Sequence, residues 1–268
     1  MSWNKKKIGR IFVLAGLVYL SGGLLIFLIQ DRILFHPKPL LFSHKFDFGQ
    51  QLIEHNIPEE GGKNLNVLQF TAKEKKGTIL FFHGNMDNVE HYKKYIPYFT
   101  SMGYEVWMMD YPGFGKSTGE RTEEAIYKDA QTVYRLARKE SSTDSLIIYG
   151  KSIGTGVAAQ LASVEDCSKL ILETPYYNIE ALAKHFIPFY PIKLLSTYRF
   201  PTNLYLPKVK APVTILHGTE DEIIPYEQAA QLKAENKSIQ LCKIINGKHN
   251  DLLSYPQFRN DVSHFLLH

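Results

Sequence analysis

The segment "SLIIYGKSIGTGVAAQLA", from Ser145 to Ala162, constrains the fold of this chain more than any other stretch. A short apolar run here meets a run of small residues, which predicts a strand that turns into a helix within about two residues. Gly150 and Gly154 stand two positions on either side of Ser152, where larger side chains would collide in so tight a turn. We therefore predict that Ser152 is a nucleophile held in this turn, the alternative being an ordinary helix N-cap.

Short apolar runs alternate with helix-like segments along most of the chain. The predicted strands lie at 78–82, 104–109, 146–149, 170–172, 213–216 and 241–245, and the predicted helices at 89–99, 123–139, 153–162, 226–235 and 258–267. Two further strands flank the turn signal "PEEGGKN" within residues 51–72. This order predicts an α/β fold with a mostly parallel sheet and helices on both faces.

One segment, residues 175–210, interrupts this alternation. It is longer than an ordinary connection and is rich in proline and aromatic residues. Long insertions in compact domains usually have a function, so we predict a lid here, the alternative being a long packed loop.

The N-terminus contains a 19-residue run without charge, "IFVLAGLVYLSGGLLIFLI", from Ile11 to Ile29. As a helix it would span ~28 Å, about the thickness of the hydrocarbon core of a bilayer. We predict a membrane anchor in residues 1–30 and one globular domain in residues 31–268. The alternative is a cleaved signal peptide with a basic start and small residues at 21–23, but the apolar run continues beyond those residues.

The charges around this run predict its orientation. Three lysines, Arg10 and the amino terminus precede it, whereas Arg32, Lys38 and Lys45, offset by Asp31, follow it. Because basic residues are retained on the cytoplasmic side, we expect a cytoplasmic N-terminus and the large globular domain on the far side of the membrane.

The remaining composition excludes several classes of protein. The net charge of +4 is small and the basic residues are scattered, so we predict no nucleic-acid partner. Cys167 and Cys242 are far apart in sequence and cannot form a disulfide framework or a C-x-x-C metal site. We expect neither a metal nor a cofactor.

A serine nucleophile needs a general base and a third group that orients the base. Asp221, in "HGTEDEIIP", follows a predicted strand, and His249, in "GKHNDLL", follows the next one. Glu173, at the end of an earlier strand, is an alternative acid. Further alternatives for the acid are Glu220 and Glu222. Those for the base are His83, His185, His217, His264 and His268.

The oxyanion formed by attack on a carbonyl must meet preorganised N–H donors. The backbone N–H of Ile153, directly after the nucleophile, is one candidate. The second is the N–H of Asn85, in the loop after "TILFFHGN", with Met86 as the alternative.

The ordered set of segments resembles the α/β-hydrolase superfamily, in particular its membrane-anchored serine hydrolases. The resemblance rests on "DRILFHP", "FFHGNMDN", "MDYPGFGKSTG", "YGKSIGTG", "HGTEDEIIP" and "KHNDL" and covers nearly all of the chain after the N-terminal run. It implies an α/β-hydrolase fold with an eight-stranded sheet, a triad of Ser152, Asp221 and His249, and an oxyanion hole of Asn85 and Ile153.

These observations predict a serine hydrolase that cleaves carboxylic esters or thioesters through an acyl-enzyme. The anchor and the apolar stretch "FIPFYPIKLL" in the insertion favour lipid-like acyl substrates. One alternative is an aminopeptidase, although Glu180 is the acidic group that the insertion offers to a free amine. The other is an inactive fold kept as a membrane-tethered binding module.

Overall fold

Buried strands alternate with helices in the computed structural model, which describes residues 5–267. The strands of this part of the chain are β1 His36–Pro37, β2 Leu52–Glu59, β3 Lys63–Phe70, β4 Gly77–Phe82, β5 Met86–Asp87, β6 Tyr104–Met109, β7 Leu146–Lys151, β8 Lys169–Glu173, β9 Val213–Gly218 and β10 Gln240–Ile244. Its α-helices are α1 Lys5–Leu34, α2 Tyr95–Ser101, α3 Glu123–Ala137, α4 Gly154–Val164, α5 Ile179–Phe186, α6 Ile192–Leu195, α7 Thr202–Tyr205, α8 Tyr226–Glu235 and α9 Pro256–Leu267.

Eight of the described strands form one mixed sheet in the order β10-β9-β8-β7-β4-β6-β3-β2. The neighbours from β10 to β6 are parallel. β3 pairs antiparallel with β6, and β2 pairs antiparallel with β3. The strand-and-helix alternation that the sequence predicts therefore corresponds to the parallel part of the sheet, and the "PEEGGKN" turn joins the two antiparallel strands at its edge.

The central strands are apolar along their whole length because both faces of the sheet are covered. In β4, Leu80 and Phe82 belong to one hydrophobic core, and Ile79 and Phe81 belong to the core on the other face. Successive side chains of a strand point to opposite faces, so one uninterrupted apolar run supplies both cores. Helices α3, α4 and α8 cover the first face, and α2 and α9 cover the second.

The direction in which the chain moves through the sheet reverses at β4. From β4 the chain continues to β6 on one side, whereas β7 lies on the other side of β4. Loops at the carboxyl ends of β4 and β7 therefore diverge and leave a crevice between them, which is where open α/β sheets bind ligands. Asn85 follows β4 and Ser152 follows β7 at this crevice.

Helix α1 is apolar, and most of its side chains are exposed. It is long and apolar enough to cross a membrane. It ends at Leu34, so the predicted division of the chain at residue 30 falls inside one continuous helix.

Residues 175–210, which we call the insertion, contain α5, α6 and α7 and lie against α1. The ring of Tyr19 stacks on that of Tyr190 with centroids 4.8 Å apart, and the Tyr19 hydroxyl donates to the Phe189 carbonyl at 2.8 Å. A Cβ at Gly22 would lie 2.1 Å from the Tyr190 hydroxyl oxygen. The absence of a side chain at Gly22 thus leaves room for the Tyr190 ring against α1.

An ion pair also connects the end of α1 to the rest of the domain. Both carboxylate oxygens of Asp31 accept from Arg121, at 3.2 Å from Nε and 2.7 Å from Nη2. The hydroxyl of Tyr198, in the insertion, donates to the same carboxylate at 2.8 Å. Asp31 therefore connects α1, the segment before α3 and the insertion.

Candidate active site

Ser152 occupies a strained turn between β7 and α4. Its φ of +52° lies in the left-handed region, which non-glycine residues rarely adopt outside functional sites. A Cβ at Gly154 would lie 2.1 Å from the Phe82 carbonyl oxygen, and one at Gly150 would lie 2.5 Å from the Gly154 carbonyl oxygen. Both positions must therefore be glycine for the backbone to turn here.

The structure brings the three predicted polar residues into one hydrogen-bonded chain. His249 Nε2 lies 2.9 Å from Ser152 Oγ, and His249 Nδ1 lies 2.8 Å from Asp221 Oδ2. Because an ionised carboxylate can only accept, Nδ1 carries the hydrogen and Nε2 accepts from the serine hydroxyl. This arrangement leaves His249 ready to take the hydroxyl proton of Ser152.

The Asp221 carboxylate is fully buried and accepts several hydrogen bonds. Its Oδ1 accepts from the amides of Ile223 and Ile224 at 2.9 and 2.7 Å. His217 Nε2 lies 3.3 Å from Oδ2. Burial alone would raise the pKa of Asp221, but the hydrogen bonds from His217 and His249 outweigh it and hold this pKa below its usual range.

The loops that carry Asp221 and His249 are joined directly through their backbones. A Cβ at Gly218, the last residue of β9, would lie 2.0 Å from the Gly247 carbonyl oxygen. The same carbonyl accepts from the Glu220 amide at 2.9 Å. Close contact between these two loops fixes the distance between the acid and the histidine.

The two predicted oxyanion donors lie on either side of the crevice. The N–H of Ile153 precedes the first turn of α4 and has no acceptor within that helix. The Asn85 carbonyl accepts from the His36 amide at 2.9 Å, and the Asn85 side chain donates to the Leu34 carbonyl at 3.1 Å. The end of α1 and β1 therefore hold the loop that carries the Asn85 amide.

The pairing of β1 with β5 extends this contact. His36 pairs with Met86 and Pro37 with Asp87. Sequence reasoning included "DRILFHP" only as part of the resemblance. Its position beside the Asn85 loop depends on contacts about fifty residues apart in sequence, and periodicity cannot reveal such contacts.

Glu173, the alternative acid, does not contact the His249 ring. Its carboxylate is fully buried and accepts from Lys151 Nζ at 2.6 Å. It also accepts from the hydroxyls of Tyr95 and Tyr149. Glu173 is thus the partner of a buried cation rather than of the histidine.

Lys151 is a contributor to the site that sequence reasoning missed. Beyond its ion pair with Glu173, its Nζ donates to the His249 carbonyl at 3.0 Å. A lysine at the end of a buried strand is a signal in itself, since buried charges need partners. Lys151 connects the turn that carries the serine to the loop that carries the histidine.

The other histidines have different surroundings. His83 is buried, its Nδ1 lies 2.7 Å from the Gly84 carbonyl oxygen, and its ring packs against Tyr111. His185 lies at the exposed end of α5. In the described part of the chain, neither has an identified interaction with Ser152, Asp221 or His249.

The sequence of the chain is similar to that of several known proteins. The family described as serine aminopeptidase S33 matches residues 73–203, a region that contains Ser152 but not Asp221 or His249. Alpha/beta hydrolase domain-containing protein 17C of Xenopus tropicalis is 30% identical over 198 residues, covering 71% of this chain and 62% of the relative. The human protein of the same name is 29% identical, covering 74% and 60%. The chain thus spans about three fifths of these curated relatives.

Solved structures share the fold at lower identity. An esterase of Pyrococcus furiosus has a TM-score of 0.68 at 20% identity, covering 87% of this chain and 98% of the esterase. A thermophilic esterase of Thermogutta terrifontis, with butyrate bound, has a TM-score of 0.63 at 16% identity, covering 81% and 93%. These comparisons place the chain among proteins with the α/β-hydrolase fold, which confirms the resemblance and the fold class expected from the sequence.

The Lys151–Glu173 pair predicts a large effect on stability. Lys151→Met leaves a buried carboxylate without its cation, so we expect the free energy of unfolding to fall by about 3–5 kcal/mol. The double variant Lys151→Met/Glu173→Gln removes the unpaired charge and should regain part of this loss. Chemical denaturation in a mild detergent measures the free energy of unfolding of both variants. A double variant no more stable than Lys151→Met would contradict a stabilising ion pair between Lys151 and Glu173.

The lowered pKa of Asp221 predicts a pH-dependent contribution to stability. Its ionised form stabilises the fold at every pH above the unfolded-state value of about 3.9, and this stabilisation is lost as the pH falls further, through the folded-state pKa. We expect the parent to be more stable than Asp221→Asn at neutral pH, with the difference shrinking in acid. The exposed Asp144→Asn is the matched control, and a parent-minus-Asp221→Asn difference that is constant with pH would refute the assignment.

Proposed function

We propose that this protein is a membrane-anchored serine hydrolase that cleaves carboxylic esters or thioesters through an acyl-enzyme. The observation that carries the proposal is the buried hydrogen-bonded chain from Ser152 through His249 to Asp221. A serine hydroxyl is a weak nucleophile unless a neighbouring base takes its proton. The three residues provide that base and the carboxylate that fixes its tautomer.

The proposed reaction has two stages. Ser152 Oγ attacks the substrate carbonyl carbon while His249 Nε2 takes the hydroxyl proton, and the negative charge that develops on the carbonyl oxygen is met by the N–H groups of Ile153 and Asn85. The tetrahedral intermediate collapses as His249 returns the proton to the leaving alcohol or thiol and the acyl–oxygen or acyl–sulfur bond breaks. A water molecule, deprotonated by His249, then attacks the acyl carbon. His249 returns this proton to Ser152 Oγ as the acyl–Oγ bond breaks, which releases the acid and restores the serine hydroxyl.

Lipid-like acyl chains are the substrates that the surroundings favour. The insertion, which is apolar at residues 186–195, packs against a helix long and apolar enough to enter a membrane. An ester or thioester with a long acyl chain would concentrate at such a membrane. The similarity to esterase structures supports the fold on which this chemistry is proposed.

The proposed anchor is α1, with the N-terminus in the cytoplasm and the remaining domain on the opposite side. The basic residues Lys5, Lys6, Lys7 and Arg10 support this orientation. The packing of Gly22 and Tyr19 on the insertion supports a helix that stays attached.

An aminopeptidase is the second candidate, because the serine aminopeptidase S33 family matches part of the chain. Such an enzyme needs an acidic group for the free amine of its substrate. Glu180 accepts from Lys184 at 2.6 Å on the exposed surface, so its charge is already paired. This favours the esterase over the aminopeptidase, and the complete hydrogen-bonded chain favours both over an inactive binding module.

Covalent labelling with a fluorophosphonate probe tests the nucleophile. We expect the parent to be labelled and Ser152→Ala to lose the label, together with roughly 10⁶-fold of its turnover number. Asp221→Asn should retain the serine and lose about 10⁴-fold, because the histidine then adopts the wrong tautomer. Ser101→Ala, which removes an exposed hydroxyl at the end of α2, serves as the control, and a Ser152→Ala variant that is still labelled would refute the proposal.

A panel of nitrophenyl esters tests the substrate class. The rate of hydrolysis should rise as the acyl chain is lengthened beyond acetate, since an apolar site gains free energy with each buried methylene. Aminoacyl amides with a free amine, assayed beside them, would report the aminopeptidase alternative. A strict preference for acetate would count against lipid-like substrates.

Protease protection tests the orientation of the anchor. A protease added outside intact cells stripped of any outer barrier should degrade the domain after α1, because the charge bias places that domain outside the cytoplasm. A domain that is digested only after the membrane has been opened would show the opposite orientation.

A further inference from the structure

The tip of the insertion, residues 186–195, presents large apolar side chains to its surroundings. The exposed fractions of Phe186, Phe189 and Leu194 are 58%, 86% and 81%. Single exposed apolar residues are ordinary, but large ones grouped on one short segment indicate a surface that is covered by something apolar.

The place of the tip along α1 indicates what covers it. Near the C-terminal end of α1, the side-chain oxygen of Gln30 accepts a hydrogen bond from the Thr197 amide at 2.7 Å. Further toward the N-terminus, Tyr19 stacks on Tyr190. Eleven helical residues separate Tyr19 from Gln30, or ~16 Å along the helix axis. If α1 crosses a membrane with its apolar run ending at Ile29, the Tyr19 contact lies about 15 Å inside a hydrocarbon core ~30 Å thick.

The backbone of the tip is suited to surroundings without water. Pro188 and Pro191 have no N–H to satisfy, and the Tyr19 hydroxyl donates to the Phe189 carbonyl at 2.8 Å. Other amides of the tip find acceptors within it or in the last turn of α5: Ile187 to Ala183, Tyr190 to Ile187, Ile192 to Tyr190 and Leu194 to Pro191. The protein itself thus provides acceptors for most of the tip's amides, which lowers the cost of immersion in hydrocarbon.

The charges around the tip fit a membrane as well. Within residues 186–195 the sequence has a single charged residue, Lys193, which is exposed. Its long side chain can extend toward the headgroups while its methylenes stay in an apolar region. Lys184 and His185 directly precede the tip, where basic groups can meet anionic headgroups.

We propose that the tip of the insertion is immersed in the bilayer beside α1, with lipid acyl chains covering Phe186, Phe189 and Leu194. The inference rests on the proposed placement of α1 in a membrane and goes beyond it, since a tethering helix alone requires no contact between the domain and lipid. The protein then enters the membrane at two adjacent places, one continuous helix and one loop-helix segment of the hydrolase domain.

Quenching of tryptophan fluorescence by lipids that carry bromine on their acyl chains tests this depth. The full chain is reconstituted into phosphatidylcholine vesicles as three variants: Phe189→Trp at the tip, Leu14→Trp on α1 and Ile245→Trp on an exposed site after β10. The signal of the parent, which contains Trp3 and Trp107, is subtracted from each. Leu194→Trp provides a second position on the tip in case one replacement disturbs folding.

We expect the tip variants to lose fluorescence to brominated lipid as Leu14→Trp does, with emission shifted to the blue, while Ile245→Trp is unaffected. Tip variants that behave like Ile245→Trp beside a quenched Leu14→Trp would overturn the inference and leave the anchor intact. A blue-shifted tip without quenching would indicate a protein partner and also overturn it. An unquenched Leu14→Trp would overturn both membrane placements, and fluorophosphonate labelling of the same samples reports the proposed hydrolase independently.

Discussion

The hydrogen bond between the buried Asp221 carboxylate and His249 is the interaction on which the candidate site depends. It determines which ring nitrogen carries the hydrogen and so makes the other nitrogen an acceptor for Ser152. The carboxylate stays ionised in a buried place because two backbone amides and His217 share its charge. The closely packed backbones at Gly218 and Gly247 then hold the two loops at this distance.

A second constraint connects the site to α1. The chain that leaves this helix hydrogen-bonds along the loop of Asn85, from the Leu34 carbonyl to the His36 amide. Leu34 stands five residues beyond the apolar run, or about 8 Å along the helix. An anchor in this position would keep the Asn85 loop close to the membrane surface, so the same segment would both tether the protein and support the geometry of the candidate site.

The sequence predicted those features that depend on local pattern. The strand-turn-helix around Ser152 follows from small residues at fixed spacing, and the loops of Asp221 and His249 follow from apolar runs that end at turn signals. Contacts between distant segments are not accessible in this way. The sequence places Lys151 between Gly150 and the serine but does not reveal its pair with Glu173 on the next strand. The same holds for the insertion, whose composition suggested a lid but whose packing on α1 depends on pairs such as Tyr19 and Tyr190.

The most direct measurement of the central claim is an experimental structure of the protein after reaction with a phosphonate ester. The adduct should lie on Ser152 Oγ, with its phosphoryl oxygen roughly 2.7–3.1 Å from the backbone nitrogens of Ile153 and Asn85, and with His249 still joined to Asp221. An adduct on another residue, or a phosphoryl oxygen directed away from both amides, would contradict the account.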